Sequence, residues 1–210
     1  MRLVSRSLVD AARSPSPWDF GNEILYELCR KHPFHRDIPT VIAKIWLIGR
    51  SYAAAIERRK KKDVENDAFY VDVVAPAVIK SKIDTWIEKV SQHEPTNSRT
   101  LDLIVSTHAE VTSLFNRISG LGKRSLASKY LHFHRPNHFY IYDTRAIEGM
   151  RKLSPLVGRA SSRGNVGDNE YRKFAEKCAR LQASIKRDLG ISLNPRQIDK
   201  LLLAVCETEP

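Results

Sequence analysis

Apolar residues recur at three- and four-residue spacing along nearly the whole chain, and that period predicts helices rather than strands. A first helix is expected over Asn22–Lys31, burying Ile24, Leu25, Leu28 and Cys29 and ending at His32-Pro33. A second starts near Pro39, a favourable first-turn residue, with Ile42, Ile45, Trp46, Gly49, Tyr52, Ala53 and Ile56 on one side. It runs into Arg58-Arg59-Lys60-Lys61-Lys62, read as a solvated helix end. The helical pattern resumes over Ala68–Ala75, and Pro76 is expected to restart the chain as a new helix reaching about Val90. Beyond the turn His93–Asn97, a helix carries Leu101, Ile104, Val105, His108, Phe115 and Ile118 inward and stops at Gly120-Leu121-Gly122. A short helix over Lys123–Phe133 follows, then an extended link, His138–Tyr142, and a helix opening at Asp143. Ser154–Asp168 reads as a flexible loop. Asn169–Leu189 reads as a helix capped by Gly190, and Pro195–Val205 as a last helix with Asn194 as its N-cap. The absence of any βαβ alternation argues against a doubly wound sheet, so the expected class is all-α.

Composition narrows the picture further. At 42% hydrophobic residues the chain can bury a core without disulfide or metal staples, as one helical domain over 18–210 preceded by a loosely ordered arm over 1–17. The longest apolar window, Val41–Ile48, is short and broken by Lys44, so no membrane span is expected. Cys29, Cys178 and Cys206 are far apart and odd in number, which suits buried thiols in a reducing, cytoplasmic setting and no zinc ribbon or iron–sulfur cluster. The formal charge of +11 favours a polyanionic partner, nucleic acid first.

The stretch Ile118-Ser-Gly-Leu-Gly-Lys-Arg-Ser-Leu-Ala-Ser-Lys-Tyr-Leu-His-Phe carries the chemistry. A helix ends, two glycines one residue apart turn the chain, and a second helix begins. Amides at Gly120, Gly122 and Lys123 would face outward there, with Lys123, Arg124 and Lys129 adding charge, a geometry that suits phosphate. The bland alternative is an ordinary glycine-capped turn. Asp143 follows Gly122 by 21 residues, within Ile141-Tyr142-Asp143-Thr144-Arg145-Ala146-Ile147. Its bland alternative is a plain helix N-cap.

Together these two stretches resemble the helix-hairpin-helix DNA glycosylase superfamily, which includes endonuclease III, the adenine glycosylase and the 8-oxoguanine glycosylases. Ile118–Gly122 is similar to the family's L-x-G-[VIL]-G hairpin, and Tyr142–Arg145 to its V-D-T-H stretch, with Arg145 where His is frequent. The resemblance is tight over about 30 residues and extends loosely to Lys44–Ile56. It implies a bundle of two helical lobes with a cleft between them, and a monomer acting on double-stranded DNA. It implies that Asp143 is the catalytic carboxylate and that Gly120, Gly122, Lys123, Arg124, Lys129 and Arg145 contact DNA. The bifunctional members carry a lysine nucleophile two positions after the second glycine; here that position is Arg124, which cannot form a Schiff base. Lys123 is the residual lysine candidate. Base release without strand cleavage is therefore expected, without a cofactor, a monovalent cation at the hairpin being the one ion left open. The rival reading is a non-catalytic DNA-binding module, and a third is a helical interaction protein.

Arg50 and Tyr52 fall where related enzymes fill the gap left by an extruded base, and Tyr52 also lies on the apolar stripe. Trp18 and His134 are candidates for the base pocket. Trp46 and Trp86, and Trp18 on its bland alternative, are expected in the core. His132-x-His134-x3-His138 invites a metal, but no neighbouring carboxylate or cysteine completes a set, and a partly exposed helix end is expected instead.

Overall fold

The computed structural model describes residues 4–61, 63–93, 98–157 and 167–207 and is all-α, with no strand among those residues. Its helices are α1 (Arg6–Arg13), α2 (Asp19–Lys31), α3 (Ile38–Ser51), α4 (Asn66–Ala68), α5 (Ala75–Ile79) and α6 (Ile83–Ser91). They continue as α7 (Ser98–Ser119), α8 (Arg124–His134), α9 (Thr144–Val157), α10 (Asn169–Leu189) and α11 (Pro195–Glu207). Among the described residues no helix is long and apolar enough to cross a membrane.

The short helix after the Gly-Leu-Gly turn occupies the centre. Every residue of α8 from Leu126 to His134 is buried, because α2, α3 and α7 pack around it. A helix surrounded on several sides needs apolar or internally satisfied residues all round. Leu126, Tyr130, Leu131 and Phe133 supply the first; Ser128, Lys129, His132 and His134 are the second kind. Elsewhere α9 lies along α11, with α1 and α10 beside them.

Four expectations change. The segment read as an arm holds α1, capped by Ser5, with Val9 and Ala12 buried against α11. Its short apolar pairs share one helical face, and α11 offers that face a partner.

The second expected helix stops at Ser51 instead of running to Arg58. Ala53 takes a left-handed φ of 52°, and the Ala54 amide turns back to the Gly49 carbonyl (2.7 Å). A Cβ on Gly49 would stand 3.2 Å from the Ala55 Cα, so a larger residue there would have to push the Ala55 backbone back by a few tenths of an ångström. Pro76 does not restart the chain. A π-helical stretch, Phe69–Val74, joins α4 to α5, and the break falls at Lys80–Lys82 instead. The wider register before Pro76 tolerates its missing amide. Finally, Trp18 is 78% exposed and Trp46 and Ile24 are also exposed, whereas Trp86 packs against the core. The loop expected over Ser154–Asp168 begins later than that, because α9 continues to Val157; residues 158–166, like the turn at 94–97 and Lys62, lie outside the described residues.

Candidate active site

The chain enters α9 along a link that α8 holds in place. The buried Ser128 hydroxyl accepts the Tyr142 amide at 2.9 Å. The next residue, Asp143, caps α9: its Oδ1 accepts the Ala146 amide at 3.0 Å. Its Oδ2 lies 3.0 Å from the Lys129 ammonium on α8. Asp143 thus does what the bland alternative required, and holds a buried cation as well.

Lys129 is the junction of the site. Its side chain is 3% exposed. Besides Asp143, its ammonium donates to the Ser125 hydroxyl (3.0 Å) and to the Tyr52 carbonyl in the reversal after α3 (3.2 Å). One side chain therefore ties together α8, the start of α9 and the left-handed turn at Ala53. Burial raises the Asp143 carboxyl, but the Lys129 ammonium and the Ala146 and Arg145 amides outweigh it, and the net shift is below the usual carboxylate range. A carboxylate held this way is a fixed anion rather than a strong base.

Aromatic and polar groups continue inward from this point. Phe133 packs against both Tyr52 (5.4 Å between ring centroids) and Tyr26 (4.7 Å). The Tyr52 hydroxyl donates to Asn22 (2.7 Å), and burial pushes its pKa up to about 12. Beyond Tyr26 and Phe133 opens a cleft of about 440 Å³, also lined by Arg30, Arg135, Asn194 and Arg196. Asp143 is not among its lining residues. Between the two, Arg196 pairs with the buried Asp199 at 2.5 Å. Burial pushes the Asp199 pKa up to about 6, and its Oδ1 has no hydrogen-bond partner among the described residues.

The other expected residues are scattered. Gly120 is left-handed (φ 72°) and closes α7, while a Cβ on Gly122 would meet nothing within 4 Å. Lys123 is not on the outer surface of the turn; its ammonium donates to the carbonyls of Ala55 (3.0 Å) and Arg58. The ammonium beside Asp143 belongs to Lys129, not to Lys123. Arg124 is partly exposed and pairs with Asp168 at 2.5 Å. The same Asp168 oxygen lies 3.8 Å from His108, whose ring stacks on Tyr171. Arg145 is exposed and pairs with Glu207; Arg50 is exposed, pairs with Glu57 (2.9 Å) and lies over Trp46.

His134 does lie on the wall of the arginine-lined cleft, and is buried rather than partly exposed. Its Nδ1 bonds the Tyr130 carbonyl (2.8 Å), and the wholly buried Lys44 approaches its Nε2 (3.5 Å). His132 is buried too, between the Phe139 carbonyl and the Tyr26 hydroxyl, whereas His138 reaches the His93 carbonyl. The three histidines serve three different backbone segments. No group of three or more His, Cys, Asp or Glu side chains among the described residues could hold a metal.

The chain pattern did not reveal Lys129 as Asp143's partner, nor Asn22, Arg196 and Asp199 as neighbours. The one available signal was a polar residue on an otherwise apolar face, as with Asn22 beside Leu25 and Cys29 in α2. Comparison with known protein families, curated proteins and solved structures finds no match for this chain.

Proposed function

We propose that this chain is a helix-hairpin-helix DNA glycosylase, built as two helical lobes, that extrudes a damaged or modified base and hydrolyses its N-glycosidic bond at Asp143. The observation that carries this reading is the convergence on Lys129. It brings the helix after the hairpin and the aspartate, where the family resemblance is tight, into contact with the reversal after α3, to which the resemblance extends loosely. Cleavage breaks the C1′–N bond, and its electron pair leaves with the base as positive charge grows on the sugar. The ionised Asp143 stabilises that charge and orients the water that adds to C1′, and the water's proton passes to the departing base. An extruded base must also be held, and Tyr52 and Tyr26 lead from Asp143 toward the arginine-lined cleft.

One observation favours the non-catalytic DNA-binding reading: both Asp143 oxygens are engaged, one by an amide and one by Lys129. Asp143→Asn separates the two. Released bases are measured by mass spectrometry from DNAs carrying oxidised, alkylated or modified cytosine bases, with duplex binding measured in parallel. Base release by the wild type that disappears in the variant, with binding retained, supports catalysis. Binding without release from any DNA overturns it in favour of the binding module.

A further inference from the structure

Apart from Arg124, which Asp168 pairs, the cations at the outer edge of the hairpin come from a segment some 60 residues upstream of it. Lys123 and Lys129, the lysines of the hairpin itself, both point inward. In their place residues 55–61 pack against the turn. The Lys60 amide donates to the Ser119 carbonyl (2.8 Å), and the Lys60 Cβ lies 3.0 Å from where a Cβ on Gly120 would stand. Lys123 clamps the same segment through the Ala55 and Arg58 carbonyls.

Arg59 anchors the segment from its inner side. Its guanidinium donates to Asn66 (2.9 Å) and to the Val64 carbonyl, and lies 4.1 Å from the Phe69 ring centroid. Arg58, Lys60 and Lys61 are left exposed, and among the described residues no carboxylate pairs with them. Three like charges on neighbouring residues repel one another in the free protein, and a polyanion relieves that repulsion. Beside them Gly122 leaves open space where a chain of phosphates could approach the backbone.

We propose that Arg58, Lys60 and Lys61, docked on the hairpin, form with the Gly122 edge a sequence-independent seat for the phosphate backbone of duplex DNA. The proposal rests on the DNA-binding part of the function proposed above and assigns its main cations to a segment outside the hairpin.

The test compares duplex binding by fluorescence anisotropy over a salt series for three proteins. They are the wild type, R58Q/K60Q/K61Q, and a charge-matched control, K89Q/K173Q/K186Q, altered at exposed lysines on other helices. The edge variant is expected to lose up to about 2.7 from the salt slope, at about 0.9 per phosphate contact, and the control much less. Gly122→Ala is a second, independent variant, expected to weaken DNA binding with its melting temperature unchanged. If the wild type binds duplex and both the edge and glycine variants bind it equally well, the seat is overturned while the DNA reading stands. An equal loss in the control also overturns it, since bulk charge then explains binding. A wild type that binds phosphatidylserine vesicles but not DNA overturns both.

Discussion

Lys129 and Asp143 meet at 3.0 Å, the lysine on a buried helix and the aspartate at the first turn of the next. The contact joins two stretches that the chain separates by a histidine-rich link. It also defines what each partner can do chemically.

Lys129→Met removes a cation from a carboxylate that is itself largely buried. The loss is expected to cost about 1.5–3 kcal/mol, the range for a hydrogen bond to a charged group, and to raise the Asp143 pKa. Urea denaturation measures the first effect and a carbon-13 NMR titration of the Asp143 carboxyl the second. An unchanged denaturation midpoint would mean that the pair contributes nothing to stability.

Lys129 is not expected to form a Schiff base. Its ammonium already donates to Asp143, Ser125 and Tyr52, and it is buried. Arg124, at the position where the bifunctional glycosylases that the hairpin resembles carry their nucleophile, cannot supply one. Borohydride treatment of the protein with DNA carrying an abasic site should therefore trap no covalent complex. A trapped adduct mapping to Lys129 would reverse this assignment.

The two hairpin glycines should respond differently to alanine. Gly120→Ala forces a side chain onto a left-handed backbone and against Lys60, and is expected to cost about 1 kcal/mol or more. Gly122→Ala meets open space and should leave the thermal midpoint nearly unchanged. Differential scanning calorimetry of both variants decides the matter.

Stability should fall on mild acidification. Burial lowers the His108 and His132 pKa values to about 4, from 6.5 for the free side chain. With the folded pKa depressed, the unfolded chain takes up protons first as pH drops below about 6.5, so stability present at neutral pH is lost toward pH 4. Each group accounts for up to about 3 kcal/mol. His132→Gln should flatten the fall in denaturation midpoint measured between about pH 7 and pH 5.

Asp199 should act with the opposite sign. Its pKa is pushed up to about 6 by burial, so the folded state holds a proton that the unfolded chain has released. Its contribution therefore declines as pH rises from about 4 to about 6 and is level above that. In Asp199→Asn the wild-type-minus-variant stability difference should shrink across that window, measured by the same denaturation series.

The elements that the sequence determined are the local ones. Helical periodicity, Asn194 ahead of the last helix, Gly190 at the end of α10 and the glycine turn at Gly120 depend on neighbours within a turn or two. Asp143 as the start of α9 was legible for the same reason. Other features depended on residues far apart in the chain. Nothing near Lys123 or Lys129 says which ammonium reaches Asp143; the packing of α8 against α3 and its hold on the Tyr142 link decide that. The end of α3 at Ser51 needed the Ala55 backbone to close over Gly49, and the helix at the N-terminus needed α11 as its partner. Arg58 and Lys60 look like a solvated helix end in sequence, and only their docking on Ser119 and Gly120 brings them to the hairpin. A charged side chain carries no local period that names its partner, so its role appears only once tertiary contacts have turned it inward or left it in water.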